Sequence, residues 1–305
     1  MEAMKRRTSR RSAGRSGLAL GAAVSLASIG CTVDRESAPG WPDGAFARGA
    51  GAPEVSYRDT PRPWVIGHRG LGKNELENML PSLVAAIEVE GAVGVELDVA
   101  LTRDGQVVTM HDARLDRTTR CTGCVSERTL AEIQSCAASD AGFPIYPPSL
   151  AEVLAALRGL PVEPLIMIDT KSGPREGCPS IAPDEPSLLG ERIVEEIQRA
   201  GTSRFTGVQG PADLLLAVRR GDPGVLTLFQ GPISEGIAAA SHHGFTGIAV
   251  ELESLDRASV AAARARGLFI DTYVIDAPID VATAVSYGVD VLETDRIRSV
   301  LDAFR

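Results

Sequence analysis

From Trp64 onward, short apolar runs alternate along the chain with amphipathic stretches of helical period. Most runs are rich in valine, isoleucine and leucine, which is typical of buried strands. The predicted strands are Trp64–Gly67, Val93–Leu101, Leu165–Asp169, Thr206–Gln209, Val225–Phe229, Gly247–Glu251, Phe269–Val274 and Val291–Glu293. The predicted helices are Ser82–Glu90, Leu150–Arg158, Leu188–Ala200, Ala212–Arg219, Ser234–His242, Arg257–Arg266, Ile279–Tyr287 and Ile297–Phe304.

This strict alternation of strands and helices predicts an α/β fold with a parallel sheet. The number of strands favours a closed (β/α)8 TIM barrel over an open doubly wound sheet. Neither a GxGxxG nor a GxxxxGK[ST] motif follows any of the predicted strands, which argues against a nucleotide-binding fold.

A small insertion is predicted after the second strand. Thr102-Arg103-Asp104-Gly105 is an Asp-Gly turn between two apolar runs, which is a strong signal for a β-hairpin. Folding the chain back about this turn brings His111 roughly opposite Leu97 and Asp98. We therefore expect a hairpin and loop that deliver His111 to the end of the second strand.

Polar residues end most of the predicted strands. In a barrel of this class the catalytic groups lie at the carboxyl ends of the strands. These polar residues are His68, Glu96, Asp98, Asp169, Lys171, Gln209, Glu251, Asp271, Glu293 and Asp295. The sequence therefore places a candidate site at one end of the barrel.

Two acidic residues on the second strand predict a cation site. Glu96 and Asp98 are two residues apart, so both side chains point to the same face and would repel each other without a cation between them. Asp169 adds a third oxygen donor, which suits Ca²⁺ or Mg²⁺. Lys171 would lie beside the cation as a second positive charge for a substrate oxyanion. A plain ion pair with a nearby arginine is the structural alternative.

Two histidines lie near these carboxylates in the predicted fold. His68 and His111 form a plausible acid–base pair, since imidazole titrates near neutral pH. Arg69 offers a fork of donors for phosphate oxygens. Glu77 and Asn78 open the first predicted helix, where an acidic residue also complements the helix dipole.

The N-terminal region predicts export. In residues 1–30, six basic residues precede a small apolar run that ends at Gly30. This is the pattern of an export signal, and the run is too short to span a bilayer. Ser28-Ile29-Gly30-Cys31 resembles a bacterial lipobox with Cys31 as the lipidated residue. Residues 31–62 lack periodicity and predict a flexible tether, followed by one domain over residues 63–305. We expect a cell-envelope lipoprotein on the periplasmic or extracellular face, or otherwise a secreted protein.

The net charge limits the possible binding partners, and the cysteine content predicts disulfides. Removing residues 1–30, with six basic residues and one acidic residue, changes the net charge from −9 to −14. Such an acidic chain is a poor binder of nucleic acid or of anionic membranes, so membrane contact is expected only through the lipid anchor. Four cysteines remain in the domain: Cys121, Cys124, Cys136 and Cys178. In an exported protein they predict disulfides, and the sequence leaves their pairing open.

The order of these motifs resembles the glycerophosphodiester phosphodiesterase family. The N-terminal block of the resemblance is highly specific, and the whole covers residues 64–298. It rests on His68-Arg69-Gly70, Glu77-Asn78, Glu96-Leu97-Asp98-Val99, Thr102-Arg103-Asp104-Gly105, His111-Asp112, Arg117-Thr118-Thr119, Asp169-Thr170-Lys171, Tyr273-Val274-Ile275, Gly288-Val289-Asp290 and Thr294-Asp295.

The resemblance implies a metal-dependent enzyme that hydrolyses a small-molecule phosphodiester to sn-glycerol 3-phosphate and an alcohol. It implies roles for nine residues. His68 and His111 would transfer protons, and Glu96, Asp98 and Asp169 would hold one Ca²⁺ or Mg²⁺. The substrate-binding residues would be Arg69, Lys171, Glu77 and Tyr273.

Four positions depart from the family pattern: Leu76, Met79, Tyr273 and Asp169. Asp169 in place of glutamate, together with the cysteines after His111, also resembles the sphingomyelinase D and lysophospholipase D type of phosphodiesterase, which acts on lipid head groups. That type is the second interpretation, although its C-terminal signature is missing. A lipoprotein that binds phosphodiesters without cleaving them is the third.

Overall fold

Eight parallel strands form a closed barrel in the computed structural model, which describes residues 55–72, 76–138 and 144–304. The barrel strands, numbered β1 to β8, are Trp64–Gly67, Gly94–Leu101, Leu165–Thr170, Thr206–Gly210, Leu226–Gln230, Gly247–Glu251, Phe269–Tyr273 and Val291–Thr294. Each strand pairs in parallel with the next, and β8 pairs with β1 to close the ring. The TIM-barrel prediction is confirmed, and each predicted strand differs from the observed one by no more than a single residue at either end.

Eight helices surround this barrel in the part of the chain that the structure describes. They are numbered α1 to α8 and span Leu80–Glu88, Leu150–Arg158, Glu185–Ala200, Ala212–Gly221, Ile233–His243, Arg257–Arg264, Pro278–Tyr287 and Ile297–Asp302. Local sequence explains several of their ends. Ser149 and Glu152 form a capping box that starts α2, and Gly201 adopts the left-handed conformation that ends α3.

The core lies between the strands and these helices. Alternate residues of β2, among them Val95, Leu97 and Val99, are fully buried and pack in this layer. Since side chains alternate along a strand, Glu96 and Asp98 point to the opposite side, into the barrel. None of the described helices combines the length and the apolar character that a membrane crossing needs.

The predicted hairpin is present after β2. The strand Val107–Thr109 pairs antiparallel with β2, with Val99 opposite Thr109. Gly105 occupies the turn with a positive φ of 71°. A one-turn 3-10 helix (Val125–Glu127) and the short helix Leu130–Ile133 follow. This insertion packs a small core of its own, separate from the barrel core.

Two disulfides fasten the insertion. Cys121 pairs with Cys136 inside it, whereas Cys124 pairs with Cys178 in the loop between β3 and α3. The prediction that the four cysteines form disulfides is confirmed, and the structure supplies their connectivity. The second bridge joins the insertion to the barrel proper.

The residues just before the predicted start of the domain are also packed. The export signal, Cys31 and most of the predicted tether fall outside the described residues. Residues 55–62, the end of that tether, are nevertheless packed: the strand Val55–Ser56 pairs with Val162–Glu163. The buried ring of Tyr57 also lies edge-on to Trp64, with centroids 4.8 Å apart. These contacts pack the end of the predicted tether against the rest of the described domain.

Candidate active site

Three carboxylates meet at the carboxyl end of β2 and β3. Asp98 and Asp169 are partners in the register of these neighbouring strands, and Glu96 lies one pleat below Asp98. One oxygen from each of the three lies within 4.8 Å of the others. The structure thus brings together the three residues that the sequence predicts as cation ligands.

Two oxygens of this carboxylate cluster have no partner. Within the described residues, Glu96 Oε1 and Asp169 Oδ1 are buried and accept no hydrogen bond. Buried carboxylate oxygens ordinarily have donors, because leaving them unsatisfied is costly. Three converging oxygen donors with open lone pairs match the ligand preference of a hard divalent cation.

Glu96 and Asp98 have opposite electrostatic environments. Burial, reinforced by the charges of Asp98 and Glu293, raises the pKa of Glu96 well above its usual value. Burial also acts to raise the pKa of Asp98, but Lys171 and Arg69 outweigh it and the net pKa is lowered. Asp98 is therefore held ionised by neighbours, whereas Glu96 lacks comparable compensation.

Both predicted phosphate-binding cations contact these carboxylates. Lys171 Nζ lies 2.6 Å from Asp169 Oδ2 and 3.1 Å from Asp98 Oδ1. Arg69 donates from Nη1 to Glu77 at 2.9 Å and from its backbone N–H to Glu96 at 2.9 Å. The ion pairs considered as a structural alternative therefore do form, alongside the cluster of open oxygens.

His68 lies at the carboxyl end of β1 and its ring is held in place. A tight turn follows it, in which a Cβ on Gly67 would come within 2.1 Å of the carbonyl oxygen of Gly70. His68 Nδ1 donates to Asp295 Oδ1 at 2.6 Å. Its Nε2 lies 4.0 Å from Glu96 Oε2, so the second ring nitrogen faces the carboxylate cluster.

His111 reaches the same cluster through the hairpin, as the sequence predicts. The backbone N–H of Met110 donates to the carbonyl oxygen of Asp98 at 3.0 Å. His111 Nδ1 lies 2.7 Å from Asp112 Oδ1, and the ring is partly exposed. Hydrogen bonds from Arg117 and from His111 hold the pKa of Asp112 well below its usual range. Each histidine is thus oriented by its own carboxylate.

Glu77 and Asn78 do not open the first helix. Helix α1 starts at Leu80 and has no acidic residue in its first turn, so the helix-dipole explanation for Glu77 is wrong. Glu77 is buried and accepts hydrogen bonds from Arg69 and from Arg117, the latter at 2.6 and 2.8 Å. These guanidinium groups occupy both of its oxygens.

Asn78 supports Asp98 directly. Its backbone has a positive φ of 61°, a conformation that asparagine tolerates better than most residues. Its Nδ2 donates to Asp98 Oδ2 at 2.8 Å, and its Oδ1 accepts from the backbone N–H of Asp98 at 2.9 Å. The turn at residues 76–79 therefore fixes one of the candidate ligands.

Tyr273 ends β7 and lies on the Asp169 side of the site. Burial, together with the charges of Asp169 and Glu293, raises the pKa of its hydroxyl. Gln230, at the end of β5, acts to lower this pKa and donates to Asp169 Oδ2 at 3.1 Å. The structure places the predicted substrate-binding residue Tyr273 next to a candidate ligand.

A second buried acidic group lies inside the barrel. Gln209 Nε2 donates to Asp271 at 2.9 Å and to Glu293 at 2.7 Å. Burial raises the pKa of Asp271 to about 8 and raises that of Glu293 as well. The position of these residues at strand ends was visible in the sequence, but their mutual hydrogen bonding was not.

Several residues that support the site were missed as site residues. Asp112 and Asp295 had a signal, because one follows His111 directly and the other ends a predicted strand. Arg117 belongs to one of the motifs of the family resemblance, whereas Gln230 and Arg175 carried no distinguishing signal of position or spacing. They reach the site from loops and from distant strands.

Comparison with known proteins identifies the family. The model of the glycerophosphoryl diester phosphodiesterase family matches residues 68–299. A glycerophosphodiester phosphodiesterase of Caldanaerobacter subterraneus is 50% identical over 70 residues, which cover 23% of this chain and 28% of that protein. The first curated relatives are thus matched over less than a third of their length. Another of that name, from Bacillus subtilis, is 24% identical over 246 residues, covering 73% of this chain and 80% of that protein.

Solved structures support the same fold. A phosphodiesterase of Oleispira antarctica, solved with its product sn-glycerol 3-phosphate, is similar with a TM-score of 0.70 and 22% identity, covering 82% of this chain and 99% of that one. The family model spans most of the domain, from the first histidine to the last helix. The prediction of a phosphodiesterase is therefore confirmed at the level of the family: the chain belongs to the glycerophosphoryl diester phosphodiesterase family.

Proposed function

We propose that this protein hydrolyses glycerophosphodiesters to sn-glycerol 3-phosphate and an alcohol. The observation that carries the proposal is the cluster of Glu96, Asp98 and Asp169, with two open oxygens, on a barrel end that also carries two oriented imidazoles. Binding alone would not need a pair of proton-transfer groups. The product found with the Oleispira relative agrees with this substrate class.

The carboxylate cluster fits one divalent cation, Ca²⁺ or Mg²⁺. Glu96, Asp98 and Asp169 would hold it through oxygen atoms, the donors that both ions prefer. When bound, the cation would stabilise negative charge on the phosphate oxygens and neutralise the carboxylates. The raised pKa of Glu96 supports this assignment, because an uncompensated buried carboxylate is what a bound cation would keep ionised.

His68 and His111 would move the protons. Each ring donates its Nδ1 proton to a carboxylate, Asp295 or Asp112, which leaves Nε2 as the reactive nitrogen. One imidazole takes the proton of the attacking hydroxyl, and the other protonates the departing alcohol. Where the substrate's own neighbouring hydroxyl attacks first, the two rings exchange roles when water opens the cyclic phosphate.

Arg69 and Lys171 would balance charge on the phosphate. In the structure they pair with Glu77, Asp98 and Asp169. Lys171 would offer its ammonium to an equatorial oxygen of the phosphate when Glu96, Asp98 and Asp169 hold the cation. Preorganised positive groups of this kind stabilise the charge that develops in the transition state.

The test is release of sn-glycerol 3-phosphate from glycerophosphocholine. The protein is first treated with a chelator, and Ca²⁺ or Mg²⁺ is then added back separately. We expect turnover only with a cation, and a loss of about 10²- to 10⁴-fold in kcat for His111→Ala. His242→Ala is the matched control, because that histidine is at the end of α5, remote in sequence from the site. Full turnover by His111→Ala would defeat the mechanism.

A phosphodiesterase that acts on lysophospholipid or sphingomyelin head groups is the second candidate. The two disulfides that follow His111 favour it, since cysteines at these positions belong to that resemblance. Exposed Tyr146, in the segment that follows the insertion, offers an apolar contact for an acyl chain. This candidate predicts choline release from micellar lysophosphatidylcholine in preference to glycerophosphocholine, which the same assay measures.

We also propose that the protein is exported and anchored by a lipid on Cys31. Two disulfides agree with an oxidising compartment. Mass spectrometry of the protein from the membrane fraction should show a lipid-modified N-terminal cysteine. A Cys31→Ala variant should lose the modification, and an unmodified wild-type chain would contradict the proposal.

A further inference from the structure

Arg175 is a guanidinium beside the site that no sequence motif singled out. It lies in the loop between Lys171 and α3, and 24% of its side chain is exposed. The charges of Asp98, Asp112 and Asp169 all act on it. Arg175 therefore lies within electrostatic reach of the carboxylate cluster and of the carboxylate that orients His111.

Among the described residues, Nη1 is the one nitrogen of this guanidinium with a hydrogen-bond acceptor. Nη1 donates to the carbonyl oxygen of His111 at 2.9 Å and lies 3.7 Å from Glu176 Oε1. Nε and Nη2 donate to no acceptor among residues 55–72, 76–138 and 144–304. These two nitrogens form one edge of the planar group, and such an edge binds phosphate or carboxylate through two parallel hydrogen bonds.

The other cations around the site differ in this respect. Arg69 and Lys171 lie against carboxylates, as described above. Arg117 uses Nε, Nη1 and Nη2 on Asp112 and Glu77. Burial lowers the pKa of Arg175, in keeping with a charge that its neighbours compensate only in part.

The loop around Arg175 is held without the use of this edge. Cys178 is bonded to Cys124, and Glu176 accepts a hydrogen bond from the backbone N–H of Ala113 at 3.1 Å. The guanidinium is thus fixed on the segment that carries His111. A donor pair held in advance loses little conformational entropy when a ligand binds.

We propose that Arg175 binds the phosphate group of the substrate through its Nε–Nη2 edge, and so forms an anion subsite beside His111. The assignment rests on the proposed function for the identity of the substrate. It does not depend on which cation is bound. Within the described residues, the Nε–Nη2 edge pairs with no carboxylate, although Nη1 lies 3.7 Å from Glu176.

The experiment is calorimetric titration of the full chain with sn-glycerol 3-phosphate and, separately, with inorganic phosphate. We expect Arg175→Met to weaken both affinities by about 10- to 100-fold, since two charge-assisted hydrogen bonds are lost. Arg175→Lys, which keeps the charge without the fork, should fall between this variant and the wild type. Arg103→Met is the matched control: that arginine also donates to a main-chain carbonyl, but its other terminal nitrogen pairs with exposed Glu132.

Thermal unfolding of each variant establishes that it is folded, and Arg175→Lys carries the test if Arg175→Met is not. Phosphate affinity within twofold of the wild type in the folded Arg175 variants would overturn the proposal. So would a fall in kcat with unchanged product affinity, because Arg175 would then only position His111. Turnover of glycerophosphocholine by the wild type is measured separately, so a failure of the proposed function is distinguished from a failure of this subsite.

Discussion

Removing the Cys124–Cys178 disulfide tests how the protein keeps His111 in register with β3. One cysteine follows His111 in the insertion, and the other follows Lys171 in the next loop of the barrel. The bridge joins residues separated by 54 positions, whereas Cys121–Cys136 joins residues separated by 15. The two bridges therefore differ both in loop length and in what they connect.

The sequence separation of each cysteine pair gives the expected loss of unfolding free energy when that disulfide is removed. In the chain-entropy model a disulfide stabilises by restricting the unfolded chain, by about 4 kcal/mol for the longer loop and about 3 kcal/mol for the shorter one. We expect Cys124→Ala/Cys178→Ala to lower the free energy of unfolding by the first amount and Cys121→Ala/Cys136→Ala by the second. Both pairs are buried or partly buried, so some loss of packing adds to each figure.

Activity separates the two bridges more clearly than stability. Loss of Cys124–Cys178 loosens the loop that holds Arg175 against the carbonyl of His111 and Glu176 against Ala113. A displacement of about 1 Å of a catalytic group can cost on the order of 100-fold in rate. We therefore expect kcat to fall by roughly 10- to 100-fold in this variant. The variant without Cys121–Cys136 should keep a kcat near that of the wild type.

Urea denaturation measures the free energies of unfolding, and release of sn-glycerol 3-phosphate from glycerophosphocholine measures kcat. Both are done at a temperature at which the two variants are fully folded. A wild-type kcat in the Cys124→Ala/Cys178→Ala variant would refute the idea that this bridge holds His111 in place. A loss of unfolding free energy below about 1 kcal/mol would refute the loop-entropy argument.

Three further predictions follow from the electrostatics of the site. Asp295→Asn should lower kcat by about 10- to 100-fold with little change in product affinity, because His68 loses the carboxylate that fixes its ring. An unchanged kcat in steady-state assays would contradict this prediction. In chelator at neutral pH, Asp98→Asn should lose about 3 kcal/mol of unfolding free energy, because Lys171 and Arg69 lose a buried partner. In the same urea denaturation, Glu96→Gln should keep or increase the unfolding free energy of the wild type. Equal losses of unfolding free energy in the two variants would contradict the proposed difference between the environments of Glu96 and Asp98. In the folded protein the pKa of Asp271 is raised from 3.8 to about 8. Protonation of Asp271 therefore contributes stability that is fully present below the unfolded pKa of 3.8 and is lost as pH rises through the folded pKa of about 8. The difference in unfolding free energy between Asp271→Asn and wild type should therefore grow in favour of the variant between pH 5 and pH 9, and a constant difference contradicts the argument.

Strand positions and the carboxylate cluster could be predicted because both depend on local pattern. The two-residue spacing of Glu96 and Asp98 fixes a common face whatever the rest of the fold does. The Asp-Gly turn likewise fixes where His111 returns, since a hairpin is a local structure. The register of β2 and β3 then places Asp169 next to Asp98.

Residues that reach the site from irregular segments could not be predicted in this way. Glu77 fits the pattern of an acidic residue in a first helical turn, yet the chain makes a further turn before α1 begins. That turn buries Glu77 between two guanidinium groups. Arg175 reaches His111 where a disulfide between distant positions and a hydrogen bond from Ala113 to Glu176 join the two segments. Such contacts depend on tertiary packing and leave no periodic signal.

The surroundings of each carboxylate in the site could not be predicted from the sequence pattern either. They determine which carboxylate is already neutralised by its neighbours. Glu96 and Asp98 have the same strand, face and burial, so the pattern treats them as equivalent. Asn78, Arg69 and Lys171 converge on Asp98 from three separate segments. Glu96 receives one backbone N–H and keeps a buried oxygen without a donor in the described part of the chain. The fold thus compensates the charge of Asp98 and leaves an oxygen of Glu96 without a donor, and this imbalance favours the proposed divalent-cation site.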